Sequence, residues 1–118
     1  MDAYKANVIN TVQLIADIDA QLEYEKNVPI ANVPNELICQ WFDDFYLSEF
    51  EWFKNKFTKK EWLVLEEFND FYKKRLDNIP DTLEKMHRSY SWKEVVGKAQ
   101  WVLEMLNWRG IDARYDDI

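Results

Sequence analysis

The sequence predicts an all-α fold, a single-domain bundle of five or six helices, and three observations carry that prediction. The chain has two glycines and three prolines in 118 residues, too few turn formers for a β-rich domain. Apolar residues recur at three- and four-residue spacing through most of its length. Three segments begin with Ser or Thr followed three positions later by Glu, the signature of a helix-capping box. With 47% hydrophobic and 31% charged residues, the composition is globular rather than disordered.

The first helix is expected over about Ala3 to Lys26. Val8, Val12, Ile15, Asp19 and Leu22 fall at helical spacing, Leu14 and Ile18 widen the stripe, and Asp17, Glu23 and Glu25 mark the wet side. Two prolines and two asparagines between Asn27 and Pro34 read as a loop. A second helix starts near Pro34, where a missing N–H costs nothing, and runs to about Tyr46. The boxes Ser48-x-x-Glu51, Thr58-x-x-Glu61 and Ser91-x-x-Glu94 predict three more starts. Each adds a hydrophobic staple, pairing Leu47 with Trp52, Phe57 with Trp62, and Tyr90 with Val95. Ser48 to Asn78 reads as two helices or as one kinked helix, since no Gly or Pro separates its halves. Asp81-Thr82-Leu83-Glu84 opens a short helix to about Arg88, with Glu84 as its box residue.

The last helix is expected from Trp92 to about Trp108, closed by Arg109 and Gly110. It has a stripe of Trp92, Val95, Val96, Ala99, Val102, Leu103 and Leu106, and a second of Trp101, Met105 and Trp108, which makes it the central helix. Gly97 inside it suggests a close helix crossing. Residues 111–118 read as a frayed tail.

Composition also narrows the function. A net charge of −7 and a pI near 4.7 argue against binding nucleic acid through its phosphates and favour a basic protein partner. No apolar run approaches the length of a membrane span, and the first residues lack the pattern of a signal peptide. The lone Cys39 has no partner for an internal disulfide, which fits a reducing, cytoplasmic setting.

No catalytic apparatus, cofactor site or metal site is expected. Gly97 and Gly110 are too far apart for a phosphate loop, and one Cys with one His does not make a zinc site. Glu84-x-x-His87 has the spacing of a di-iron bundle ligand pair, but the chain has no second histidine to complete it. Cys39 and His87 would need to meet in space to form a thiolate–imidazolium pair, and Cys39 sits in a run that reads as buried core.

Charge and aromatics are both concentrated. From Asp17 to Glu51, nine carboxylates face one basic residue, Lys26, so this stretch carries −8 and the remainder +1. This acidity is either a solvated face, paired in part with the lysines that follow, or a surface that steers a basic partner. Twelve of the nineteen aromatic residues lie between Trp41 and Tyr72. On a regular helix Trp41 and Phe45 share one face, Phe42 and Tyr46 the next, with Asp43 and Asp44 beyond. Most of these rings read as core, whereas Phe42 and Tyr46 read as interface anchors.

Small, acidic, tryptophan-rich helical character without an active site resembles the immunity proteins of bacterial toxin systems, including contact-dependent growth inhibition. The resemblance is one of type and rests on no diagnostic motif. It implies an inhibitor that binds a basic toxin domain, such as a nuclease, and blocks its active site or substrate path. The expected contact residues are Asp17, Asp19, Glu23, Phe42, Asp43, Asp44, Tyr46, Glu49 and Glu51. The alternatives are a structural or adaptor module, homo-oligomeric through its aromatic surface, and an enzyme or small-ligand binder with a pocket among the tryptophans.

Overall fold

The computed structural model describes residues 1–113, and these form an all-α domain. Seven α-helices are present among the described residues: α1 (Ala3–Ile15), α2 (Ile18–Asn27), α3 (Val33–Cys39), α4 (Glu51–Lys54), α5 (Lys59–Lys73), α6 (Leu83–Arg88) and α7 (Tyr90–Met105). A π-helical segment, Gln40–Phe45, continues α3, and a 3₁₀ turn, Leu76–Asn78, follows α5. As the apolar stripe predicts, α7 is central. It buries Trp92, Val95, Val96, Ala99, Val102 and Leu103 and packs against α1, α5 and α6. The second stripe is less buried, since Met105 is exposed and Trp101 half-buried.

The single first helix expected over Ala3–Lys26 is two helices. Asp2 begins α1, its Oδ1 accepting from the N–H groups of Tyr4 (2.9 Å) and Lys5 (3.1 Å). Asp17, expected on a wet helix face, instead adopts extended geometry, and its carboxylate caps α2 by accepting from Ala20 N–H. A short acidic side chain competes for backbone donors in this way and stops a helix. The carbonyls left over at the end of α1 are satisfied from a distance. Gln21 Nε2 donates to Leu14 O (3.0 Å) and Ile15 O (2.9 Å), and Gln100 Nε2 on α7 donates to Ala16 O (3.2 Å).

Of the three expected boxes, only Thr58 forms one. Its hydroxyl accepts from Glu61 N–H (3.1 Å) while Glu61 Oε1 accepts from Thr58 N–H (2.8 Å). The Phe57 and Trp62 rings lie 6.0 Å apart above it, the expected staple. Ser48 sits in a turn closed by Phe50 N–H on Leu47 O, and the N-cap of α4 is Phe50, two residues after the expected cap. Trp52 therefore packs on Tyr4 and Phe50 rather than forming a staple with Leu47. At α7 the cap is Ser89, not Ser91, and Tyr90 is exposed instead of stapled to Val95. Thr82 caps α6, and Glu84 pairs with Arg88 (2.8 Å) instead of closing a box. Residues 55–58 separate α4 from α5, so 48–78 is not one kinked helix.

The end of α7 also differs from expectation. Asn107, with φ 58°, takes the left-handed position; Trp108 N–H reaches back to Leu103 O (2.9 Å) and Asn107 N–H to Glu104 O (3.4 Å). This is a Schellman closure built on Asn, with the buried Trp108 as its apolar partner. Gly110, φ 77°, serves the next turn. Gly97 marks no close crossing, because a Cβ there would meet nothing within 4 Å. The expected frayed tail is held at its start. Asn10 Nδ2 donates to Ala113 O (2.9 Å), Gln13 Nε2 to Ile111 O (2.8 Å), and Ala113 is buried. Residues 114–118 lie outside the described residues.

Candidate functional site

The aromatic segment is mostly core, and a π-helical turn arranges it. Tyr46 N–H donates to Trp41 O (3.1 Å), five residues back, so residues five apart come to share a face. The Trp41 and Tyr46 rings stack at 4.5 Å, Tyr46 stacks on Trp62 at 5.5 Å, and Trp41 meets Phe68 edge-on. Trp41 Nε1 donates to Asn69 Oδ1 (3.1 Å), and the Tyr46 hydroxyl donates to the Glu66 carboxylate. Burial, with the Glu66 carboxylate next, pushes the Tyr46 phenol far above its ordinary range. Tyr46 is 4% exposed and so cannot serve as the surface anchor expected of it. Phe42 is half-buried, edge-on to Tyr72.

Among the remaining expected contact residues, Asp17, Asp19, Glu23, Asp43, Asp44, Glu49 and Glu51 are all exposed. They occupy three places. Asp17 and Asp19 line a cleft of about 540 Å³ at the α1–α2 elbow, shared with Arg109, Ile18 and Leu103, and Glu23 lies one turn beyond Asp19 on α2. Asp43 and Asp44, with Glu36, surround Cys39, whose thiol is held above its ordinary value by burial and then by these carboxylates. Glu49 and Glu51 flank Phe50 at the entry to α4.

The ion pairs fall elsewhere. Lys5–Glu61, Lys56–Asp2, Arg75–Glu94, Arg88–Glu84 and Lys98–Glu67 all use carboxylates outside 17–51. Among the described residues, none of the nine carboxylates from Asp17 to Glu51 takes part in an ion pair. Among the described residues, none of the lysines following this stretch forms an ion pair with it: Lys56 pairs with Asp2, and Lys54 lies over the Trp62 ring. An unpaired carboxylate in water keeps its long-range field, which an ion pair would largely cancel.

Two exposed apolar groups were not anticipated. Tyr4, Phe50 and Trp52 form a surface ring cluster, Tyr4 edge-on to Trp52 at 5.0 Å and Phe50 stacked on it at 5.5 Å. Lys56 Nζ lies over both Tyr4 and Trp52. Leu22 on α2 and Val28 and Ile30 in the turn after it are exposed, Ile30 at 98%. Leu22 falls in the helical-spacing stripe of the first segment and so reads as core, and the ring cluster joins residues 48 apart. Only the exposed apolar residue in a two-proline loop was readable in advance.

The residues considered for chemistry do not converge. His87 Nε2 donates to Gln21 Oε1 (2.9 Å), Glu84 is held by Arg88, and Cys39 Sγ lies 3.8 Å from Asn35 Oδ1. Gln21 is fully buried, and its Oε1 also accepts from Trp92 Nε1 (3.2 Å), so one side chain joins the α1–α2 elbow to α6 and α7. No group of three His, Cys, Asp or Glu able to hold a metal occurs among the described residues. Among the same residues, no helix is long and apolar enough to cross a membrane. No family model, no curated protein and no solved structure matches this chain.

Proposed function

We propose that this protein is a binding inhibitor of the immunity type, which neutralises a basic toxin domain in the cytoplasm by covering its active site or substrate path. The observation that carries this reading is the isolation of the acidic stretch. Nine carboxylates within 35 residues keep clear of every ion pair among the described residues, and the five cations that do pair there take carboxylates outside this stretch. Such a surface attracts a cationic cleft at long range and resembles, in charge, the phosphates that a nuclease cleft is built to hold. No cofactor and no catalytic step is assigned to the chain.

The test is neutralisation. Where a neighbouring gene encodes a large secreted protein with a variable C-terminal domain, that domain is produced with and without this chain. Growth arrest relieved by the chain, with an association rate that falls steeply with salt, is the expected result. Reversing Asp19 and Glu23, Asp43 and Asp44, or Glu49 and Glu51 to Lys, one pair at a time, locates the face. Unchanged growth arrest, or an association rate indifferent to all three reversals and to salt, removes the proposal.

A second reading rests on the Tyr4–Phe50–Trp52 cluster, whose exposed rings lie among both signs of charge, Asp2, Glu49, Glu51 and Lys56. A structural or adaptor module would self-associate through it. A stable dimer in sedimentation that dissociates on Trp52→Ala supports that reading, and a monomer excludes it.

A further inference from the structure

We infer that the outward face of α2 and the turn after it form the docking surface, and that its occupant is a cationic protein segment whose apolar side chains pack around Ile30. The inference rests on the inhibitor reading above and names where that partner sits. Helix α2 buries only Gln21 fully and turns Asp19, Leu22, Glu23 and Lys26 to water. These four are three and four residues apart and so lie on one face. The chain then enters a turn in which Ala31 N–H donates to Val28 O (3.0 Å), with Pro29 in its second position and Ile30 at its tip. Proline fixes its own φ, so Ile30 is held out by a turn that loses little freedom when a partner binds it.

Charge complementarity selects the occupant. Asp19, Glu23 and Glu25 are exposed on this element and, among the described residues, in no ion pair. Lys26 is its only cation, and Arg109 lines the same cleft as Asp19. A second copy would set carboxylates against carboxylates, and an anionic lipid surface would be repelled. The Tyr4–Phe50–Trp52 cluster lacks this bias, because Lys56 already lies over two of its rings.

The probe is a synthetic amphipathic peptide with arginines flanking a leucine face, titrated at low salt into the isotope-labelled full chain. Amide shifts are expected to concentrate between Asp19 and Ala31. Ile30→Ser is expected to weaken binding about tenfold, and Asp70→Lys, exposed on α5, to change it by less than about twofold. Because Ile30 is almost wholly exposed, its replacement leaves the core intact. Absent binding, shifts centred on Trp52 or on Asp43 and Asp44, or wild-type affinity in Ile30→Ser would overturn the inference. Peptide binding at this face without neutralisation of a toxin defeats only the inhibitor reading. Neutralisation indifferent to Ile30→Ser defeats only the docking surface.

Discussion

Gln21→Met keeps the length and volume of a fully buried side chain and removes all its polar contacts. In the native fold the Gln21 amide donates to Leu14 O and Ile15 O and accepts from Trp92 Nε1 and His87 Nε2. His87 is only partly buried and can turn to water, and Leu14 O keeps a second donor in Asp17 N–H (3.3 Å). Two groups are left without a substitute, the Trp92 indole N–H, whose residue is 0% exposed, and the Ile15 carbonyl. Each orphaned buried group costs about 1–3 kcal/mol, so the expected loss is about 4 kcal/mol. Against a total stability of about 5–15 kcal/mol that is a large fraction, and at about 4 °C per kcal/mol it lowers Tm by about 15 °C. Urea unfolding followed by tryptophan fluorescence reads the change. In a double-mutant cycle with Trp92→Phe, a coupling of about 1 kcal/mol or more is expected. A Gln21→Met variant within about 1 kcal/mol of the parent, or a cycle with no coupling, would refute the idea that this amide joins the elbow to α7.

Four shorter predictions follow from other local arrangements. Thr58→Ala is expected to cost about 1 kcal/mol, while Ser48→Ala and Ser91→Ala stay within about 0.5 kcal/mol; equal losses at all three in chemical denaturation would contradict the caps described. Tyr46→Phe removes a hydrogen bond to a carboxylate and is expected to cost about 2 kcal/mol, with partner affinity unchanged; an affinity loss without a stability loss would return Tyr46 to the interface. Gly97→Ala, on an open helix surface, is expected to stabilise by about 1 kcal/mol, and a lowered Tm would reveal a contact at that position. Burial holds the His87 imidazole below its ordinary value of 6.5, outweighing the opposite pull of Glu25. The unfolded chain therefore takes up the proton first as pH falls, and the stability linked to neutral His87, full above 6.5, declines through the folded value. A urea midpoint flat between pH 7 and about 5, or a slope that survives in His87→Gln, would exclude this linkage.

The site was legible in its charge and not in its rings. The acidic stretch from Asp17 to Glu51 is a property of composition, and its exposure follows because carboxylates without partners stay in water. Which rings stay in water depends on backbone geometry that no apolar pattern encodes. Regular helical spacing places Tyr46 on the face next to that of Trp41. The π-helical turn brings it onto the same face and into the core. Conversely, Trp52 looked like a staple and is half in solvent, because α4 begins two residues later than the Ser48 pattern implied.

By itself the sequence determined the all-α class, the central place of α7, the Thr58 box and the starts of α3 and α6. These rest on interactions within one or two helical turns, or on an apolar stripe long enough to need a neighbour. Tertiary structure decided where α1 breaks, how α7 ends and which aromatics are buried. At Asp17 a helix can continue or stop, and stopping is favoured because Gln21 and the distant Gln100 satisfy the carbonyls that the break exposes. At Asn107 the left-handed closure is held by burial of Trp108 beneath it. In both places local preferences are nearly balanced, and the buried contacts that the tertiary structure supplies choose between them.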